Sequence, residues 1–138
     1  MKELMILLRA MQMYAQNAHH LMKGNTFMQD HSFFGDVYEQ LDSDFDDVSE
    51  RIIGLYGEEP LHLLTIMKSV VEKLVDAPSV GTLENKTFYQ HQLHLEDKLC
   101  DLVKMIVSAG CSHGTEQLIT EICNKAEVRK YKIKQRLK

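Results

Sequence analysis

The chain of 138 residues has no tryptophan, only two prolines, and no apolar run longer than the five residues Leu4–Leu8. Such a run is far short of the ~20 residues a membrane-crossing helix needs. Lys2 and Glu3 precede it and no small-residue cleavage site follows, so no secretory signal is expected. The three cysteines, Cys100, Cys111 and Cys123, are odd in number and form no CxxC pair. Neither a disulfide framework nor a thiolate zinc site is therefore expected, and buried free thiols are. Internal repeats, low-complexity stretches and the period-two alternation of strands are also missing. What is present, 44% hydrophobic residues, suffices for a sizeable core. The expectation is one soluble, cytoplasmic domain over residues 1–138, with no membrane contact.

Charge is distributed unevenly. Residues 1–124 carry 9 Lys/Arg against 19 Asp/Glu, whereas residues 125–138 carry 7 against 1. Glycine and proline fall at Gly24, Gly54 to Pro60, Pro78 to Gly81 and Gly110 to Gly114, with Gly35 the exception. These breaks divide the chain into segments of roughly 3–23, 26–53, 61–76, 82–109 and 115–137. In the second, Phe27, His31, Phe34, Tyr38, Leu41, Phe45, Val48, Ile52 and Leu55 recur at spacings of four and three, the inward stripe of one long amphipathic helix. Leu4, Leu7, Met11, Tyr14, Ala18 and Met22 give the first segment such a stripe, and Leu95, Leu99, Leu102 and Ile106 the fourth. Ile119, Ile122, Ala126, Ile133 and Leu137 carry it through the last, with Lys130 interrupting. Thr26, Thr82 and Thr115 stand at expected helix N-caps. Four long helices with short first and third links form two antiparallel hairpins. The middle link, 56–81, is long enough to cross the bundle and holds a short helix within Leu61 to Val75. The fold class expected is all-α: a ferritin-like four-helix bundle with one long crossover.

A bundle alone implies no function, so the inward polar residues matter most. His31 lies in the stripe of the second helix, where a hydrogen-bonded core histidine is the ordinary reading and a metal ligand the alternative. Eight acids, Asp30, Asp36, Glu39, Asp42, Asp44, Asp46, Asp47 and Glu50, precede the first base, Arg51; most are expected to form a solvated outer face. Advancing about 100° per residue, Asp46 and Glu50 flank the edge of the apolar stripe. His31 and Asp46 are nevertheless about 22 Å apart along the axis, so a single chain cannot bring them to one ion. Two copies can, if their second helices pack antiparallel across a two-fold axis near residues 38–41. His19 on the first helix is brought near His31 by the turn at Gly24 to Thr26. Two histidines from one subunit and two carboxylates from its neighbour suit iron, manganese or zinc better than magnesium or calcium.

His19-His-Leu-Met-Lys-Gly-Asn-Thr-Phe27, His31 and Asp46-Asp-Val-Ser-Glu50-Arg51, in the spacing H-x11-H-x14-D-x3-E, resemble the ferroxidase signature of the Dps family, the ferritin-like DNA-binding proteins from starved cells. The likeness runs without a gap from about residue 19 to 57, and the order of the helices extends it over most of the chain. The resemblance implies a hollow cage of twelve subunits built from two-fold dimers. At each dimer interface a two-iron centre would oxidise Fe(II), with hydrogen peroxide preferred over oxygen, store ferric mineral inside and so protect DNA from oxidative damage. His19 and His31 would be ligands from one chain, Asp46 and Glu50 from the next. Three positions differ from the family pattern: Gly35 replaces an aspartate, His20 a tryptophan, and Ser112-His113-Gly114 an acidic pore lining. A rival expectation is a cage or dimer weakened in catalysis that acts as a structural or DNA-coating protein.

Other signals are weaker. Glu59-Pro-Leu-His62 has the Glu-x-x-His spacing of larger di-iron ferritins, but di-iron sites need it on two helices. His91, His94 and Asp97 share a helix face and read as solvated side chains or a surface metal site. Lys125, Arg129, Lys132 and Arg136 fall at i, i+4, i+7 and i+11, a face that could neutralise phosphates or simply complement the helix dipole. Weak, salt-sensitive DNA binding or none is expected.

Overall fold

A computed structural model describes residues 1–78 and 83–138, and among these the chain is helical with no strand. The helices are α1 (Lys2–Leu21), α2 (Phe27–Tyr56), α3 (Leu63–Leu74), α4 (Asn85–Ala109) and α5 (His113–Leu137), with a 3₁₀ turn at Glu59–Leu61. Two glycines make the hairpins possible. Gly24 at φ 79° and Gly110 at φ 96° take left-handed backbone that a side chain disfavours, and each reverses the chain within a few residues.

Hydrogen bonds fix how the helices run. Along α2 and α5, Asp30 meets Arg136, Asp44 meets Lys125, and Arg51 donates to Thr115, so the two are antiparallel over most of their length. At one end of the molecule the Asn85 amide donates to Lys23 O at 2.7 Å and to Asp30 Oδ2 at 2.9 Å, so α4 begins beside the turn from which α2 begins. Helix α2 ends about 45 Å away along its axis, so the chain between Tyr56 and Asn85 must return the length of the bundle. On that path α3 lies against α1 through buried Ile66 and Val70.

Every residue of the expected α1 stripe is buried, together with Met5, Ile6, Leu8, Ala10 and Ala15, because α2, α3 and α4 all pack on this helix. The α2 stripe is rotated from expectation. Phe27 and Leu55 are exposed, while Asp30 and Asp44 are buried at 0% and 1% exposure. In α5 the buried cation is Arg129, not Lys130. Its N-cap is Ser112, whose Oγ accepts from Thr115 N at 3.3 Å, so Thr115 is a buried first-turn residue. Thr26 does cap α2, but its hydroxyl donates to Asp30 instead of accepting from the backbone. The expected cap at Thr82 lies outside the described residues; Glu84 occupies the N-cap position of α4.

Candidate metal centre

His19 is near the end of α1 and His31 is one turn into α2, on either side of the 22–26 connection. The rings stack with centroids 3.6 Å apart. His19 Nδ1 lies 2.6 Å from the carbonyl oxygen of His31, and His31 Nδ1 lies 2.8 Å from that of His19. A carbonyl oxygen can only accept, so each Nδ1 carries the proton and each Nε2 keeps a lone pair in the neutral ring. Fixing the tautomer through a backbone carbonyl on the other ring nitrogen is how metal-binding histidines are commonly held. Phe27 stacks on His31 at 4.8 Å and Tyr38 sits edge-on to His19 at 5.4 Å, so aromatic rings frame the pair.

Asp46 and Glu50 are exposed on α2, a long way along the helix from the histidines. Among the described residues of one chain, no third imidazole, thiol or carboxylate joins His19 and His31 in a three-ligand set. Gly35 lies next to the pair: a Cβ built there would stand 3.1 Å from His19 Cε1 and 3.2 Å from its Nδ1. Gly35 thus gives the His19 ring the room it occupies.

Among the described residues, the buried carboxylates form no competing centre. Glu96 is gripped by Arg129 at 2.6 and 2.8 Å, with both side chains buried. Asp44 accepts from Lys125 at 2.6 Å. Asp30 accepts from Arg136, Tyr89, Asn85 and Thr26. Burial alone would raise the Asp30 pKa, but these donors outweigh it and hold the carboxyl well below the usual carboxylate range. Each buried carboxylate among the described residues is therefore neutralised by a cation. Glu59 and His62 do not act together: Glu59 is in the 3₁₀ turn and His62 caps α3, accepting from Thr65 N at 3.4 Å. Asp97 is paired with Lys130 at 2.6 Å, and His91 packs on Tyr14 with ring centroids 4.8 Å apart, so His91, His94 and Asp97 form no three-ligand group.

The C-terminal cations do share a face, but it is turned largely toward the bundle. Lys125, Arg129 and Arg136 are engaged with Asp44, Glu96 and Asp30, leaving Lys132 as the exposed one of the four.

The cysteines also differ from expectation. All three are half-buried, and Cys100 and Cys123 lie together with Glu127. No protein-family model matches the chain, and no curated protein matches it significantly.

Proposed function

We propose that the chain is an iron-oxidising, iron-storing protein of the ferritin-like kind, resembling the Dps family, whose oxidation centre is shared between two copies. One copy contributes His19 and His31, and the antiparallel α2 of the other contributes Asp46 and Glu50. The observation that carries this reading is the reciprocal anchoring of the two histidines through Nδ1, which leaves an Nε2 lone pair on each of two stacked imidazoles framed by aromatic rings. Four further features support it. Each buried carboxylate among the described residues is neutralised by a cation, so carboxylate ligands would come from the surface. Half-buried Tyr38 and Phe45 follow His31 along one face of α2 at seven-residue intervals, where a second helix could cover them. Leu64 and Val71 on α3 and Val75 just after its end are exposed at 59%, 60% and 75%, an apolar row suited to a subunit contact. The long crossover between α2 and α4 is the connectivity of ferritin-like bundles.

The chemistry is a two-electron reduction of peroxide. Two Fe(II) substrate ions each give up one electron, the O–O bond of hydrogen peroxide breaks, and two protons are taken up to give two waters and two Fe(III). Delivering both electrons together avoids the hydroxyl radical that a single electron would release, and DNA is protected by removing both reagents. Hard carboxylate oxygens favour the ferric product. A cage of twelve copies would then hold the mineral.

A second reading, an assembly that no longer oxidises iron and acts as a structural or DNA-coating protein, is favoured by Gly35: the site there supplies no side chain, and the His19 ring fills the space. Mixing anaerobic protein with Fe(II) and peroxide, while following ferric absorbance and particle size, separates the two. Rapid oxidation of two irons per peroxide by a large particle is expected. A large particle with no oxidation would establish the second reading, and a small particle with no oxidation would overturn both.

A further inference from the structure

Helices α4 and α5 bring a different set of ligands together. Cys123 and Glu127 are one turn apart on α5, and Cys100 faces them from α4; the two Sγ atoms and a Glu127 oxygen all lie within 4.8 Å of one another. We propose that Cys100, Cys123 and Glu127 form a binding site for a thiophilic divalent cation of the zinc class, separate from the histidine centre.

Four observations carry the inference. The register is fixed independently, because the buried Glu96–Arg129 and the Asp97–Lys130 ion pairs lock α4 against α5 on neighbouring turns. The set is nearly the right size: Zn–S bonds of about 2.3 Å in a tetrahedron put ligand atoms about 3.8 Å apart, so rotamer adjustments of roughly 1 Å close it. The three groups line a surface cleft of about 320 Å³, which admits an ion and a water as fourth ligand. Finally, Glu127 makes no ion pair among the described residues, in contrast to Asp30, Asp44, Glu96 and Asp97.

A free thiol keeps its proton at neutral pH. Binding therefore exchanges protons for the cation: one M²⁺ displaces a proton from each thiol, giving two thiolate bonds, one carboxylate bond and two released protons. The product carries one net negative charge, and the Lys130 ammonium lies close enough to stabilise it. Two thiolates favour zinc or cadmium over the iron proposed for the histidine pair.

The test is an anaerobic titration of the fully reduced chain with Co²⁺ alone, followed by competition with Zn²⁺. A thiolate-to-cobalt charge-transfer band that saturates at one ion per chain and is abolished by Zn²⁺ is the expected result. Cys100→Ser and Cys123→Ser should each remove the band, and Cys111→Ser should leave it. Glu127 is exposed, so Glu127→Gln should fold normally, keep the band and weaken binding by more than the roughly tenfold lost when a supporting residue of a metal site is changed. No band at stoichiometric Co²⁺, a band that survives both serine variants, or unchanged affinity in Glu127→Gln would each overturn the proposal. Cobalt held by the histidines alone would lack the thiolate band and would count against it too.

Discussion

The ring of His19 lies over the Cα of Gly35, so close that a methyl group there would meet it at 3.1 Å. Gly54, in the same helix, has nothing within 4 Å of its missing Cβ. Alanine at a helix-interior glycine normally stabilises by about 0.5–1 kcal/mol through the unfolded chain. Gly54→Ala is expected to gain that amount in urea denaturation. Gly35→Ala is expected to gain nothing, because His19 is tied to His31 O at 2.6 Å and resists the necessary shift. Equal gains in the two variants would show that the ring moves freely.

The proposed sharing of the histidine centre between copies has a signature that single variants lack. His31→Ala and Asp46→Asn should each slow peroxide-driven iron oxidation greatly with helicity unchanged. Yet in a mixed dimer of the two variants, one of its two sites has both wild-type halves. Co-expression with random pairing should therefore restore about a quarter of the sites. Activity that stays at the level of the single variants would exclude the proposed arrangement.

The Glu96–Arg129 pair is buried on both sides, and Gln40 adds a third contact at 3.1 Å. Removing one partner strands a charge in the interior, so Glu96→Gln or Arg129→Met should cost about 3–5 kcal/mol. Replacing both by apolar residues of similar volume should recover most of the loss. Denaturation midpoints of the two single variants and the double would show this; single costs below about 1 kcal/mol would mean that water reaches the pair.

Acid should weaken the fold through Asp30. Its folded pKa lies below the unfolded value of about 3.9, so its stabilising contribution is complete above that value and is lost as pH falls through it toward the folded one. Asp30→Asn should be less stable than wild type at neutral pH and show a shallower loss of stability below pH ~4. Parallel slopes for the two proteins would place the acid sensitivity elsewhere.

With Lys125, Arg129 and Arg136 committed to carboxylates, DNA retardation should be weak and vanish between low and physiological salt. Lys132→Ala should change it slightly and stability hardly at all. Tight retardation at physiological salt would require a basic surface made by assembly.

The helices were legible because hydrophobic spacing is a local property: every residue of the α1 stripe from Leu4 to Met22 is indeed buried. The His19–His31 pairing was legible for a similar reason, since a short turn separates the two residues. The acids of α2 were not. Asp30 and Asp44 look like their six exposed neighbours in sequence, and only partners 106 and 81 positions away make their burial possible. Arg129 reads with the basic face for the same reason. The meeting of Cys100 with Cys123 depends on the register of α4 against α5, which spacing within either helix does not contain.

Arg136 bonds to both Thr26 and Asp30, immediately before His31. The last turn of α5 is thus a guy-rope on the hairpin that holds the imidazoles. Trimming even a handful of C-terminal residues would slacken that hairpin, and the chemistry proposed for the imidazoles would feel the cut.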